Sequence, residues 1–334
     1  MTAELAVVIP TYQRRDLLVR VLAALAVQTL ARERFTVTVV CDGCSDGSAD
    51  AARRAVAAGG EAAGLNLRVM EQANAGRATA LNRGAEAADA DLLLFLDDDM
   101  IAQADLLAVH LDQHRRRPGT MVIGHLPVHP DSPVSYLTLG LARWVDRRHE
   151  LLSRPGTSVP ANEVLTGQMS MARETFQRLG GFDTRFTAGG TFGGEDIDLG
   201  WRARQRDIAV VYQPRAVSQQ IYRKTFPALC RDIREAAAAD SLMAATHPGV
   251  LAHLPQGQVD AMPRGQRLAL RTTLKQPRVC ATFFSPLLAL LNMAAVRGWR
   301  GHVWEHLHGI ARAHLYGLGM RDAEAAGIPS RRTA

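Results

Sequence analysis

Three consecutive carboxylates close an apolar run: Leu92, Leu93, Leu94, Phe95 and Leu96 are followed at once by Asp97, Asp98 and Asp99. Five apolar residues ending in polar, turn-forming ones read as a buried strand. Three carboxylates at its carboxyl end repel one another and are costly there unless a cation or solvent compensates them. Hard divalent cations favour such oxygen ligands, and Mg²⁺ recruits one or two carboxylates together with substrate phosphates. In open α/β sheets, ligands sit beyond the carboxyl ends of the strands. The triplet therefore points to a metal–phosphate site, with a charged turn as the plain alternative. A second acidic group, Glu195, Asp196 and Asp198, opens a helical stretch at Glu195–Gln205. Acidic enrichment in a helical first turn is ordinary, so this group alone says little. Cys41 and Cys44 form a CxxC pair, but no partner pair with zinc-site spacing follows, which argues against a zinc or redox role.

The elements that must hold these residues alternate through the first half of the chain. Leu5–Ile9 reads as a strand closed by Pro10, and Leu17, Leu18, Val21, Leu22 and Leu25 recur at helical spacing. Thr36–Val40 is β-branched; Ser48 is placed to cap a helix through Ala49–Ala58, ended by Gly59–Gly60. A strand at Leu67–Met70 and an Ala-rich helix from Arg77 to Ala88 lead into Leu92–Leu96. Repeated βα units predict a mostly parallel sheet sandwiched by helices. Further strands are expected at Met121–Gly124 and Ala209–Tyr212, with a helical segment near Val134–Leu152. The glycine pairs at 180–181, 189–190 and 193–194 suggest turns with unusual backbone angles or close approach to a ligand. From about residue 221 the chain reads as helical, with a loop near His247–Gly265.

The chain has 334 residues, 47% hydrophobic and 22% charged, enough for one large domain with an appendage. Its net charge of +6 lies in the last third: residues 221–334 carry 15 Lys+Arg against 7 Asp+Glu, residues 1–220 carry 24 against 26. No aromatic-rich RNA motif, zinc-finger spacing or helix-turn-helix pattern accompanies this surplus, so nucleic acid is not expected as a partner. Val279–Val296 is uncharged and flanked by Arg278 and Arg297. Its length just reaches that of a spanning helix, but Ser285, Pro286 and Asn292 favour a buried or interfacial one. Four cysteines make no disulfide framework, and the opening apolar run is too short for a secretory leader. A cytoplasmic location is expected, with peripheral membrane association on the cytoplasmic face through the basic extension.

Several spaced motifs converge: VVIPTYQR at 7–14, VVCDGCSDGS at 39–48, NAGRATALNRGA at 74–85, FLDDDM at 95–100, GGFDTRF at 180–186 and GGEDIDLGWR at 193–202. In order and spacing they resemble the family 2 glycosyltransferases, inverting enzymes of the GT-A fold, over about residues 4–220. The resemblance implies a GT-A-like nucleotide-sugar-binding and catalytic domain over 1–220 and a helical extension over 221–334. It implies a nucleoside-diphosphate sugar donor, UDP-linked by preference, and a divalent metal, Mn²⁺ or Mg²⁺. The acceptor, lipid-linked, saccharide or natural product, is left open.

By the same resemblance, Pro10, Thr11 and Tyr12 approach the nucleotide, Asp42 bonds its base, and Arg77 lies near the diphosphate. Asp97 and Asp99 match the DXD motif, Asp99 as the direct metal ligand and Asp97 nearer the ribose, with Asp98 the variable middle residue. Asp196 matches the general base. Gly167, Gln168, Met169, Glu195, Trp201 and Arg202 fall at the donor–acceptor junction. A helical first turn stabilises a carboxylate, so Asp196 is expected to stay ionised; Asp198, four residues before Arg202, reads as structural. The chain departs from the pattern at Cys41, where many relatives have aspartate, and at Gln219–Gln220, near a frequent histidine. A nucleotidyltransferase would open on a glycine-rich, Arg-containing loop, and a dinucleotide-dependent oxidoreductase on G-x-G-x-x-G; neither is present. A degenerate glycosyltransferase fold acting as a binding or scaffold subunit is the non-enzymatic alternative, against which Asp42, Asp97, Asp99 and Asp196 argue.

Overall fold

In a computed structural model, residues 3–328 are described. The order is β1 (Ala3–Thr11), α1 (Arg15–Ala26), β2 (Phe35–Asp42), α2 (Ser48–Val56), β3 (Leu67–Gln72), α3 (Arg77–Ala87), β4 (Ala90–Leu96) and β5 (Met100–Ala102). There follow α4 (Leu106–Arg116), β6 (Met121–His125), α5 (Tyr136–Leu152), β7 (Gln168–Ala172), α6 (Arg173–Leu179), α7 (Glu195–Arg204) and β8 (Val210–Gln220). Four helices complete the chain: α8 (Phe226–Thr246), α9 (Arg264–Lys275), α10 (Pro277–Val296) and α11 (His302–Ala325). The chain divides into two compact units, one of residues 3–131, 144–190 and 195–222, the other of 132–143, 191–194 and 223–328.

The first unit is built on an eight-stranded sheet of order β3-β2-β1-β4-β7-β6-β8-β5. The β1–β2, β1–β4, β2–β3 and β6–β8 pairs are parallel; β7 runs against both β4 and β6, and β5 against β8. The sheet is thus mixed, parallel in its first half as the βα alternation requires. Strand β1 shows why its stretch Leu5–Ile9 is apolar throughout. Leu5, Val7 and Ile9 pack with Leu18, Leu22 and Leu25 of α1, while Ala6 and Val8 pack with Leu81 and Ala85 of α3 on the other face. A strand covered on both faces has no solvent side to make polar.

Two local expectations need correction. Pro10 does not close β1; it lies inside it, in register with Val40. It is tolerated because the pairing with β4 ends at Val8, so no ladder bond on that side needs its missing N–H. Ser48 does not cap α2 but is its first residue, and Asp46 Oδ1 accepts from both the Ser48 N–H (3.1 Å) and its hydroxyl (2.6 Å). The strand expected at 209–212 continues to Gln220, which carries it back to the acidic turn.

The second unit is helical. Ile233 and Ala237 of α8, Leu270 of α9, Cys280 and Phe284 of α10, and Leu315, Tyr316 and Met320 of α11 form its core. Asp240 is buried in this unit and accepts a 2.6 Å bond from the Tyr316 hydroxyl.

Candidate active site

The carboxyl end of β4 delivers Asp97, Asp98 and Asp99 into a tight turn closed by Met100 N–H donating to the Asp97 carbonyl at 3.2 Å. Neighbouring strands pin this turn on two sides. Asp97 N–H donates to the Gly167 carbonyl (3.1 Å), and Ile221 N–H to the Asp99 carbonyl (2.9 Å). Gly167 packs closely on this turn: a Cβ there would lie 2.8 Å from Met100 Cε, the end of a flexible side chain that would have to shift.

Asp98 and Asp99 are buried and Asp97 is partly exposed. Thr11 Oγ1 donates to Asp98 Oδ2 (2.7 Å). One Arg14 nitrogen bridges Asp98 Oδ1 and Asp99 Oδ2, at 3.0 Å from each. Gln220 Nε2 reaches Asp99 Oδ2 at 3.3 Å. Burial pushes Asp98 up to about 7 against the pull of Arg14, and burial with the neighbouring Asp97 charge raises Asp99 as well. Asp99 Oδ1 is buried without a hydrogen-bond partner among the described residues.

Arg77, the first residue of α3, joins this turn to the start of α7. Its guanidinium pairs with Asp97 and with Glu195, and donates to Thr166 Oγ1 at 2.6 Å. Gly76, just before it, has φ +92, and a Cβ there would lie 1.8 Å from the Thr187 carbonyl oxygen. Asp42 holds the same turn: its Oδ1 accepts from Gln72 Nε2 and Ala75 N–H, both 2.8 Å, and its Oδ2 from Gly76 N–H at 2.9 Å. The other Glu195 oxygen, Oε2, is buried without a partner among the described residues. Asp196, beside it, accepts from Ile197 N–H at 2.8 Å. Its carboxyl is pushed up to about 7, first by burial and then by the Glu195 charge, with Arg77 opposing. Burial thus opposes the helical first turn that is expected to keep Asp196 ionised.

The sequence-selected residues sort as follows. Thr11, Arg77, Asp97, Asp98, Asp99, Glu195 and Gly167 meet around the acidic turn. Pro10 is in β1, and Tyr12 follows it, half exposed. Gln168 and Met169 pair with Leu96 and Phe95 across β7 and β4 and are fully buried, Met169 in the apolar core. Trp201 is buried, and Arg202 is held by Asp198 Oδ2 (2.7 Å) and the Gly181 carbonyl (2.8 Å). Arg14 and Thr166 were not among the candidates. Arg14 ends the VVIPTYQR motif, which was its available signal; Thr166 had none beyond preceding Gly167.

A divalent cation suits this donor set. Asp99 offers a buried oxygen with no partner, Asp97 lies beside it in the turn, and both are hard oxygen donors. No group of three or more His, Cys, Asp or Glu side chains able to hold a metal is found among the described residues. Such an ion would take one or two protein oxygens and complete its shell from phosphate and water, as Mg²⁺-type sites do.

Known proteins resemble this chain in sequence and in fold. The family model described as glycosyl transferase family 2 matches residues 6–174, and one described as the N-terminal domain of galactosyltransferase matches 146–224. Validoxylamine A glucosyltransferases of Streptomyces hygroscopicus subsp. jinggangensis and subsp. limoneus are each 34% identical over 230 residues, 61% of this chain. The chain spans about half the length of these curated relatives, 52% and 48%. Among solved structures, the mannosyltransferase PcManGT from Pyrobaculum calidifontis, in complex with GDP-Man and Mn²⁺, aligns with TM-score 0.63 at 18% identity, covering 96% of this chain and 88% of that one. Residues 1–349 of S. aureus TarS with UDP-GlcNAc align with TM-score 0.58 at 14% identity, covering 97% and 92%. These likenesses establish the GT-A-like fold, and the match over half of its length shows that the chain belongs to glycosyltransferase family 2.

Proposed function

We propose that this protein transfers a sugar from a nucleoside-diphosphate donor, UDP-linked by preference, to a hydroxyl or amine acceptor, with inversion at the anomeric carbon. The observation that carries this reading is the Arg77 bridge. It gathers Asp97 from the end of β4 and Glu195 from the start of α7 onto one guanidinium, with Asp196 next in the chain. A cation-binding turn and a candidate base thus share one cluster, as a displacement at a sugar–diphosphate bond needs.

Asp99 and Asp97 would hold Mn²⁺ or Mg²⁺, which when bound supplies Lewis-acid stabilisation of the departing diphosphate. Asp196 takes the proton of the acceptor as it attacks. Its raised affinity for protons suits that role, because a base works best with a pKa near the working pH. Asp42 holds the 74–76 turn and would bond the nucleotide base from there. The solved relatives carry GDP-Man and UDP-GlcNAc, which supports a nucleoside-diphosphate sugar. The curated relatives are named as glucosyltransferases of validoxylamine A, so UDP-glucose with that acceptor is the first pair to assay.

Calorimetry with UDP, GDP and TDP, each with and without Mn²⁺, tests the donor site in wild type and Asp99→Ala. One nucleotide should bind in a metal-dependent way, and the variant should lose that dependence. Absence of binding by all three would overturn the reading in favour of a scaffold role. NMR of the anomeric proton in the product tests inversion.

A further inference from the structure

We propose that the exposed face of α10 seats this protein on an anionic bilayer surface. The helix is two-faced in an unusual sense, because both faces are apolar. Cys280 and Phe284 point into the core of the helical unit, with Leu287 and Leu288 packed against it, and Leu291 is buried too. On the other side, Val279, Phe283 and Val296 are 65%, 77% and 80% exposed, and Leu290 and Met293 are exposed too. With Pro286 these residues recur every three or four positions, which is one continuous stripe along a helix of 3.6 residues per turn. The stripe is roughly 26 Å long at 1.5 Å per residue.

Charge selects the occupant. Residues 261–304 contain no Asp or Glu, but carry Arg264, Arg267, Arg271, Lys275, Arg278, Arg297 and Arg300. Arg267 and Arg271 answer to Asp260. Among the described residues, Lys275, Arg278 and Arg300 are exposed and have no carboxylate within ion-pair distance. Arg278 and Arg297 border the two ends of the stripe, and Arg297 lies over the Trp299 ring at 5.8 Å. An apolar face rimmed by cations, with aromatic rings at one end, matches the layered chemistry of an acidic membrane surface. A second copy is a worse match, since antiparallel packing of two stripes would set Arg278 against Arg297.

The helix is long and apolar enough to cross a membrane, with mean hydropathy 1.9. Its inner face is already committed to the core of its own unit, so it lies in the surface plane and does not span. The contact is independent of the proposed transfer reaction.

The test is flotation of the full chain with vesicles of phosphatidylcholine alone or with added phosphatidylglycerol, at low and high salt. Wild type should float with the anionic vesicles at low salt and fall by about tenfold or more at high salt, where screening is short-ranged. Phe283→Ser with Val296→Ser, and separately Arg278→Glu with Arg297→Glu, should each lower the floated fraction by a similar factor. All four positions are exposed, and circular dichroism with nucleotide calorimetry confirms that the variants fold. No flotation, or flotation indifferent to both variants, overturns the proposal. Light scattering that shows a dimer dissociated by Phe283→Ser, without vesicle binding, overturns it in favour of a second copy.

Discussion

The two units each bury carboxylates, and they treat them differently. In the helical unit, Asp240 meets the Tyr316 hydroxyl, and that pair sits inside an apolar core. In the sheet unit, Asp97, Asp98, Asp99, Glu195 and Asp196 crowd around two arginines, and Asp99 Oδ1 and Glu195 Oε2 are left without partners. Both arrangements raise proton affinity by burial. Only the acidic cluster leaves oxygens of its own carboxylates bare among the described residues; beside Asp240 the bare oxygen is an amide, Gln256 Oε1. A buried acceptor left bare costs stability, and folds keep such groups chiefly where a ligand will satisfy them. The contrast supports the proposal that the acidic cluster, and not Asp240, meets a ligand.

The sharpest way to break the comparison is Asp196→Asn. We expect kcat/KM to fall roughly 10²- to 10⁴-fold, the range for removing a general base, with nucleotide affinity unchanged by calorimetry. Retained turnover would move the base elsewhere. Next, Asp99→Asn should weaken Mn²⁺-dependent nucleotide binding by roughly 10- to 100-fold, while the melting temperature in chelator holds or rises because one buried like charge is gone. A drop in melting temperature would make Asp99 structural, like Asp240.

The pH dependences sharpen the same contrast. Asp196 must be ionised to accept a proton, so kcat/KM should rise with pH and level off above about 7. Asp240 acts on stability instead. Its pKa is raised from 3.8 to about 6, so the folded state holds the proton more tightly than the unfolded chain across that window. Stability therefore falls as pH rises from about 4 to 6, by up to about 3 kcal/mol from this group. Denaturant titrations of Asp240→Asn should lack that loss, with nucleotide binding untouched. The smallest effect is expected from Tyr316→Phe, about 1–3 kcal/mol of stability from the unpaired Asp240, and no change in turnover.

Much of the sheet unit is legible in the sequence because its strands are buried on both faces. Leu5–Ile9 and Leu92–Leu96 can be nothing but apolar, and the acids that follow Leu96 stand out against them. The site was legible where its residues share a motif, as Asp97 and Asp99 do. Arg14 was not, since its partners Asp98 and Asp99 lie 84 and 85 residues away and only the sheet brings them together. The direction of β7 was hidden for the same reason: a five-residue strand carries no mark of which way it runs. The raised proton affinity of Asp196 also escaped, because a helical first turn is read from sequence while burial depends on everything packed around it.

The reversed β7 also divides the chain by where it tolerates insertion. In a parallel strand the segment that leaves reaches the ligand edge; here it is the segment that enters. Register pairs Gln168 with Leu96 and Ala172 with Leu92, so residues before Gln168 abut the acidic turn and residues after Ala172 emerge at the opposite edge. Extra residues placed between Leu152 and Thr166 would remodel the wall beside Asp97. Residues after Leu179 meet the site by another route, through Thr187, whose carbonyl packs on Gly76 and whose hydroxyl accepts from Ala78 N–H at 2.9 Å. Within that stretch Val159, Ala161 and Val164 are buried, so length is freest to vary over the exposed residues 153–156.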